Sequence, residues 1–518
     1  MAVKGLIKSG EYFDSVTLML VSRDASSLPG VIDAAVVMGT KENKSILESS
    51  GMLLPEFKDT KDSDLLIVVK SDDEKVAEES VKKIEEMLKK SKQRTTEGVE
   101  FLPKSIEGAL QIMPDANLVI ISVAGRYAAD IAMDALKRGL HVMIFSDNVP
   151  KEKAIEVKKY GYEHDLLVMG PDCGTAIING APLGFANVVN RGDIGIVSAA
   201  GTGLQEVSCT ISNNGGGISQ GIGTGGIDVK KDYGALSFLK GLEALRDDPE
   251  TKIIVLVSKP PHPEILEKIG KLTKDIKKPI VGILLGADSE VVKSIGAIPA
   301  KNLEEGALLA LSLSKGIPVE KFQKELKDKE EEIKKMAEEL SKKLKPEQKY
   351  FRGFFQGGTL TYETQVILKD FIGPVNSNAP LDEKYKLKDS WKSEGHTIVD
   401  LGEDEFTVGR PHPMIDFSLR NKRLIEESKF SDVAIFYLDV VIGYGSNMTP
   451  KEELVPAILE AKKNSNAIFI VTVCGTDKDP QNKKDLIQAL KETGAVVFES
   501  NASASKLAGY ILKDIGGK

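Results

Sequence analysis

The stretch that decides the fold is IGIVSAAGTGLQEVSCTISNNGGGISQGIGTGGID, residues 194–228. Its apolar start predicts a buried strand, and Leu204, Val207 and Ile211 follow the glycine turn at helical spacing. A helix that begins on small residues leaves its first N–H groups and the positive end of its dipole accessible, which favours phosphate or carboxylate binding. A second glycine run lets the backbone approach the same ligand closely. The predicted phosphate-binding residues here are Gly201, Thr202, Gly203, Gly225 and Gly226.

A second copy of this pattern begins with FRGFFQ at residues 351–356 and continues as GGTLTYE at residues 357–363. Each copy predicts a strand, a Gly-Thr turn and a helix with an early glutamate, Glu206 or Glu363. Each then reaches an Ile-Asp pair, a helix and a buried strand. We interpret the two as a duplicated domain, although Gly-rich strand–helix turns also occur in α/β proteins that bind nothing there. The second copy adds Gly357, Gly358 and Thr359 to the predicted phosphate-binding residues.

Composition limits the classes of function. A chain of 518 residues is too long for one hydrophobic core and predicts three or four domains. The net charge of −8 with interspersed acids and bases gives no basic patch for nucleic acid. No signal-peptide pattern or long apolar run predicts secretion or a membrane span. Three distant cysteines and five histidines predict a reducing, cytoplasmic location and no metal site.

The predicted fold class is multidomain α/β with parallel sheets. Residues 1–97 predict a small N-terminal α/β domain, with strands at 15–21, 31–38 and 64–69 and a charged helix at 75–90. This domain is ferredoxin-like or, alternatively, an ACT-like regulatory module. The remaining predicted divisions are a partial Rossmann domain at 98–190, the first repeat at 191–318, a charged helical linker at 319–349 and the second repeat at 350–518.

The partial Rossmann domain alternates strands and helices, as parallel sheets do, and their ligands lie beyond the carboxyl ends of the strands. Its third strand ends in GPDCG, residues 170–174. No G-x-G-x-x-G motif opens the domain, so we predict no dinucleotide. Cys173 is interpreted as small filler in a tight turn, with a nucleophilic role as the alternative.

The most unusual stretch is GRPHP, residues 409–413. Its two prolines fix the backbone and hold a guanidinium and an imidazole two residues apart. Arginine recognises carboxylate or phosphate with two parallel hydrogen bonds, and histidine moves protons near neutral pH. We predict Arg410, His412 and Asp416 as catalytic residues. The alternatives are a surface loop for the first two and helix capping for Asp416 and Asp228.

Three segments carry a resemblance to known proteins. GIVSAAGTGLQE, GGTLTYE and GPDCGT resemble the α chain of succinyl-CoA synthetase and the NDP-forming acyl-CoA synthetases. QGIGTGGIDV, GGTLTYE and FTVGRPHPMID are similar to the FdrA family, over nearly the whole chain. The resemblance implies a Rossmann-like CoA-binding-type domain and two flavodoxin-like succinyl-CoA-synthetase ligase-type domains, whose glycine-turn helices face one phosphate site.

The chain departs from the synthetases at several functional positions. The loop that carries their phosphohistidine corresponds to Gly286-Ala287-Asp288, which lacks histidine. The glutamate that supports it would lie near Ser258-Lys259-Pro260, and none is present. Segment 319–349 is too short for their ATP-grasp domain, and their Gly-rich CoA-binding opening is absent. No cofactor is therefore firmly predicted, with CoA as an alternative.

The FdrA resemblance implies a subunit of oxamate carbamoyltransferase, which converts oxalurate and phosphate to oxamate and carbamoyl phosphate after allantoin breakdown. The implied partners are these small anions and the other carbamoyltransferase subunits, with a homodimer as an alternative. Two other functions stay open. One is an acyl-CoA synthetase whose nucleotide-binding half is a separate chain, and the other is a non-catalytic assembly subunit.

Overall fold

The computed structural model describes residues 2–96, 103–407 and 410–516. The chain folds as two compact units. The small unit comprises residues 1–116 and 402–416, and the large unit comprises residues 117–401 and 417–518. The polar stretch that contains Arg410, His412 and Asp416 therefore belongs to the small unit, although the second repeat surrounds it in sequence.

The secondary structure alternates along most of the chain. The strands are β1 Ala2–Lys8, β2 Val31–Met38, β3 Leu65–Ser71, β4 Leu118–Ile121, β5 His141–Ile144, β6 Val168–Met169, β7 Thr175–Ile178, β8 Ala181–Gly184, β9 Arg191–Ser198, β10 Ile218–Gly223, β11 Ile253–Ser258, β12 Ile280–Leu284, β13 Ile298–Pro299, β14 Tyr350–Phe355, β15 Asn376–Ser377, β16 Thr397–Asp400, β17 Val433–Val441, β18 Ile468–Cys474 and β19 Val496–Phe498. The helices are α1 Ser15–Ser26, α2 Lys41–Ser49, α3 Glu74–Thr96, α4 Ile106–Ile112, α5 Gly125–Lys137, α6 Lys151–Glu163, α7 Gly201–Asn213, α8 Leu236–Asp247, α9 Pro263–Thr273, α10 Ser289–Ser294, α11 Leu303–Ser314, α12 Val319–Ser341, α13 Gly358–Ile372, α14 Asp404–Thr407, α15 Ser418–Glu427, α16 Pro450–Asn464, α17 Lys483–Glu492 and α18 Asn501–Gly516.

The small unit holds a three-stranded antiparallel sheet in the order β1-β3-β2. The prediction of a strand at 15–21 is wrong, because these residues begin helix α1. Leu18, Val21 and Ala25 fall on one face and are buried, and the Asp14 carboxylate accepts a hydrogen bond from the Thr17 amide at 2.9 Å. Tertiary burial and this cap outweigh the strand preference of the β-branched residues. The ferredoxin-like and ACT-like alternatives stay predictions.

The large unit contains a three-stranded parallel sheet in the order β4-β5-β6 and two larger sheets. In one larger sheet the parallel strands run in the order β10-β9-β11-β12-β13, and the hairpin β7-β8 extends it beyond β10. The other is entirely parallel, in the order β15-β16-β14-β17-β18-β19. Numbered within the repeat, the first parallel sheet has the flavodoxin-like strand order 2-1-3-4-5, and the second has the same order when its two-residue edge strand β15 is left out. This common order confirms the multidomain α/β fold class with its two flavodoxin-like sheets.

The central strands explain why the sequence folds this way. Every residue of β11 and β17 is buried, because helices cover both faces of a parallel sheet. Their continuous apolar runs therefore replace the alternating pattern of a half-exposed strand. Among the described helices, none is long and apolar enough to cross a membrane.

Candidate functional site

Helices α7 and α13 begin directly after the first strands of the two repeats. Helix α7 follows the end of β9, and α13 follows the end of β14. Within the described chain, neither helix receives a side-chain capping hydrogen bond or carries an acidic residue in its first turn. Their first N–H groups and positive dipole ends therefore suit a bound anion.

The two helix N-termini lie against each other in the large unit. A methyl group placed on Gly357 would lie 3.3 Å from Oγ1 of Thr202, and one placed on Gly203 would lie 3.2 Å from Cγ2 of Thr359. Side chains larger than hydrogen at either glycine would crowd the opposite helix. The structure thus brings together the two predicted phosphate-binding turns, whose residues are Gly201, Thr202, Gly203, Gly357, Gly358 and Thr359.

The other two predicted phosphate-binding glycines, Gly225 and Gly226, lie against the backbone of neighbouring segments. Gly225 has a φ of +80°, and a methyl group on it would lie 2.2 Å from the carbonyl oxygen of Pro171. Gly226 lies near Ala199, since its methyl position is 3.6 Å from that carbonyl oxygen. Gly225 is therefore required by backbone packing, whereas Gly226 flanks the chain that leads into α7. Phosphate binding by either glycine stays a prediction.

Asp400 borders the turn of the second repeat. Oδ2 of Asp400 lies 3.0 Å from the position of a methyl group on Gly358. The backbone of Asp400 is fixed by Asn378, which accepts from its amide and donates to its carbonyl, each at 2.9 Å. A carboxylate on a fixed stretch of backbone therefore lies beside the N-terminus of α13.

The early glutamates join the two repeats. Glu206 accepts from the amide of Asn501 at 2.9 Å, and Glu363 accepts from the amide of Leu303 and from Nδ2 of Asn501, each at 2.7 Å. Each glutamate thus stabilises the first turn of the last helix of the other repeat. Burial raises the pKa of Glu363 to about 7, and burial followed by the Glu363 carboxylate raises the pKa of Glu206 well above its usual value.

These partners could not be read from local sequence. The two glutamates were visible at equivalent positions of the repeats, but Asn501 lies 295 residues from Glu206 and 138 residues from Glu363. Packing between the repeats brings Glu206 to Asn501 and Glu363 to Leu303. The bond between Glu363 and Asn501 instead comes from the packing of α13 against α18 within the second repeat.

A buried ion pair lies beneath the turn of α13. Oδ1 of Asp439 accepts from the amide of Gln356 at 2.8 Å, and Nη1 of Arg420 donates to the carbonyl oxygen of Asp439. Burial raises the pKa of Asp439 to about 7 and lowers the pKa of Arg420 to about 10. Among the described residues, Oδ2 of Asp439 and Nε and Nη2 of Arg420 have no hydrogen-bond partner.

The predicted catalytic residues lie in the small unit. Arg410 is exposed, whereas His412 and Asp416 are partly buried. Nδ1 of His412 accepts from the Met414 amide at 3.2 Å, and burial lowers the pKa of His412 to about 4. The imidazole is therefore neutral at pH 7. Arg23 donates to the carbonyl oxygen of Ile415 at 3.4 Å, which ties this stretch to α1. The catalytic roles stay predictions.

Asp228 and Cys173 have structural roles in the large unit. Oδ2 of Asp228 accepts from the amide of Phe238 at 2.8 Å, which confirms the capping alternative for α8. Burial raises the pKa of Cys173 to about 12, so the thiolate needed for nucleophilic attack is disfavoured. The interpretation of Cys173 as buried filler agrees with this environment.

Two family models match the chain. Residues 1–101 match the AllF heavy metal-associated domain, and residues 354–511 match the CoA-ligase family. The residue types of the first segment do not fit a soft heavy metal, since residues 1–101 contain neither cysteine nor histidine. No group of three or more His, Cys, Asp or Glu side chains that could hold a metal occurs in the described residues.

Several named proteins resemble the chain in sequence. The uncharacterized protein YahF of Escherichia coli is 40% identical over 513 residues, which is 98% of each chain. The malate–CoA ligase subunit alpha of Methylorubrum extorquens is 28% identical over 35% of this chain and 62% of its own length. The succinate–CoA ligase subunit alpha of Methanothermobacter thermautotrophicus is 29% identical over 38% of this chain and 68% of its own length.

Solved structures of CoA enzymes also match. ATP citrate lyase from Methanothrix soehngenii covers 42% of each chain at 20% identity and a TM-score of 0.35. The dinucleotide-forming acetyl-coenzyme A synthetase 1 of Ca. Korarchaeum cryptofilum covers 77% of this chain and 84% of its own at 14% identity and a TM-score of 0.31. These low scores carry no argument about function. The full-length match does show the family: the chain belongs to the family of E. coli YahF, with a heavy metal-associated-type segment at its N-terminus and a CoA-ligase-type segment in its second repeat.

Proposed function

We propose that this chain binds an acyl phosphate between the N-termini of α7 and α13, in a reaction of the acyl-CoA ligase type. One observation carries the proposal: two uncapped helix N-termini, one from each repeat, lie against each other. Backbone N–H groups aimed at one point stabilise the negative charge that develops during acyl or phosphoryl transfer. The CoA-ligase relatives support this class of chemistry. A partner chain would supply the nucleotide-binding half.

A second candidate is a subunit of oxamate carbamoyltransferase of the FdrA type. It is favoured by the turn Gly286-Ala287-Asp288, which holds no histidine to carry a phosphoryl group. Carbamoyl phosphate is itself an acyl phosphate, so phosphate and oxalurate could react without a phosphoenzyme. In this candidate Arg410, His412 and Asp416 recognise the carboxylate and carbonyl groups. The chain would act in the cytoplasm with further subunits.

Calorimetric titration of the purified chain with inorganic phosphate, carbamoyl phosphate and CoA, with and without oxamate, tests both candidates. Binding of CoA together with phosphate supports the ligase. Carbamoyl phosphate binding that oxamate strengthens, with CoA inert, supports the carbamoyltransferase. If none of the three binds, either to the chain or to its complex with partner subunits, the acyl-phosphate site is wrong and a non-catalytic assembly role is favoured.

A matched pair of variants locates the binding site. Gly201→Asp places a carboxylate at the first position of α7, where a methyl group would meet only Oγ1 of Thr175, at 3.4 Å. We expect phosphate binding to fall by more than about 100-fold because the new charge repels the anion, while α7 gains about 0.3–1 kcal/mol. Gly201→Asn, similar in shape but uncharged, should lose much less affinity. Equal losses in the two variants would show that bulk, not charge, blocks binding.

A further inference from the structure

Lys259 lies beside the N-terminus of α13, at the proposed acyl-phosphate site. It directly follows β11, the third strand of the first repeat, and is exposed. Its Nζ lies 4.8 Å from the ring centre of Tyr362 and 4.0 Å from the position of a methyl group on Gly358. The first repeat therefore places an ammonium group beside the helix N-terminus of the second repeat.

Lys259 shares the N-terminus of α13 with the carboxylate of Asp400. Lys259 forms no ion pair with any carboxylate in the part of the chain that the structure describes. The positive end of α13 disfavours a nearby cation, and the face of Tyr362 offsets only part of that cost. Asp400 reaches the same glycine, but no ion pair within 4.0 Å joins it to Lys259 among the described residues. A bound dianion would be attracted by both the ammonium and the helix.

The neighbouring turn explains which anion fits. Oη of Tyr362 lies 3.7 Å from the methyl position of Gly286, so the Tyr362 side chain is next to both Lys259 and the turn Gly286-Ala287-Asp288. This turn offers no imidazole to accept a phosphoryl group. The ammonium group of Lys259 therefore attracts the phosphate group of a bound small molecule rather than a phosphoryl group carried by the protein. It attracts a dianion more strongly than a singly charged carboxylate.

We propose that Lys259 binds the phosphate group of the ligand above the N-terminus of α13 and selects dianionic phosphate over monoanionic carboxylate. This inference rests on the proposed function, because it assigns a further residue to the same site. Lys259 acts as a binding residue, and no covalent step is assigned to it.

The test compares Lys259→Met and Lys259→Arg with wild type in titrations with inorganic phosphate and with carbamoyl phosphate at low and high salt. We expect Lys259→Met to bind both about 10- to 100-fold more weakly and to show a shallower salt dependence. Lys259→Arg should restore most of the affinity because it keeps the charge. Lys334→Met is the matched control, since Lys334 also lies over a tyrosine ring, 5.8 Å from the centre of Tyr510.

The outcomes separate this inference from the proposed function. If Gly201→Asp abolishes binding but Lys259→Met leaves its strength and salt dependence unchanged, the site stands and the role of Lys259 is wrong. If Lys334→Met weakens binding as much as Lys259→Met, the effect is not specific to the site, which also overturns the role. If wild type binds neither ligand, alone or with partner subunits, the proposed function itself fails. A loss for carbamoyl phosphate alone would restrict Lys259 to acyl phosphates.

Discussion

Two buried ion pairs of the large unit, one at each repeat, differ in the hydrogen bonds around them. In the first pair, Nζ of Lys158, which belongs to the partial Rossmann segment, lies 2.7 Å from Oδ1 of Asp228 and 2.7 Å from Oγ of Ser237 in the first repeat. Oδ2 of Asp228 accepts from the amide of Phe238. In the second repeat, one carboxylate oxygen of Asp439 and two nitrogens of Arg420 lack partners in the described chain. In the first pair the ammonium group and both carboxylate oxygens have hydrogen-bond partners. The second pair leaves polar atoms without hydrogen-bond partners beneath the turn of α13 in the described chain.

The difference between the two ion pairs indicates that equivalent parts of a duplicated fold can serve different roles. Unsatisfied buried polar groups cost free energy, so each one in a native protein calls for an explanation such as a catalytic role or a bound water or ion. The corresponding third strands agree with that division: β11 ends beside the exposed Lys259, and β17 carries the buried Asp439. The repeats therefore share the same arrangement of strand, glycine turn and helix, but they differ in the charged residues at the carboxyl ends of their strands.

We expect the largest effect on stability from removing Lys158, the cation of the fully hydrogen-bonded pair. Lys158→Met leaves Asp228 buried and unpaired, so we expect the free energy of unfolding to fall by about 3–5 kcal/mol. Arg420→Met should cost less, about 1–3 kcal/mol, because burial raises the pKa of Asp439 to about 7 and this carboxylate can take up a proton when its partner is removed. Urea unfolding of the full chain, followed by tryptophan fluorescence and circular dichroism, measures both. Equal losses of unfolding free energy in the two variants would contradict the proposed difference between the two ion pairs.

The next effect concerns the glutamates that connect the repeats, and it depends on pH. The pKa of Glu363 is raised from 4.5 to about 7 in the folded chain. The protonated group therefore contributes stability that is fully present below about pH 4.5 and is lost as the pH rises through about 7. We expect the unfolding free energy of wild type, relative to Glu363→Gln, to fall by as much as about 3 kcal/mol between pH 5 and pH 8.

Glu347→Gln provides the control for this pH series, because Glu347 is exposed. Its unfolding free energy should run parallel to that of wild type across the same pH range. A constant difference between wild type and Glu363→Gln would contradict the proposed protonation of the contact between the repeats.

The smallest expected effect contrasts the buried cap Asp228 with a more accessible one in the small unit. Asp14 accepts from the amide and the hydroxyl of Thr17, at 2.9 Å and 2.6 Å. Asp14→Ala should cost about 1 kcal/mol, typical of an N-cap. Hydrogen exchange should show the loss in α1 alone. Loss of protection throughout the large unit would mean that the cap has a wider role than helix capping.

Much of the fold could be predicted because its signals are local. The apolar runs at 253–257 and 433–438 correspond to the fully buried strands β11 and β17. The two Gly-Thr turns likewise predicted the starts of α7 and α13. The segment at 15–21 failed because strand preference is weak evidence against a capped, amphipathic helix. The assignment of Arg410, His412 and Asp416 to the small unit depends on long-range packing that adjacent residues do not encode.

By itself, the sequence determined the duplication, the glycine turns and the absence of histidine at 286–288, because each is a property of neighbouring residues. Only the tertiary structure decided that Lys259 lies over Tyr362, that Asn501 binds both early glutamates and that Asp439 braces Gln356. These contacts join residues that are far apart in the chain. Their geometry is set by the packing of whole sheets and helices, which no local pattern specifies.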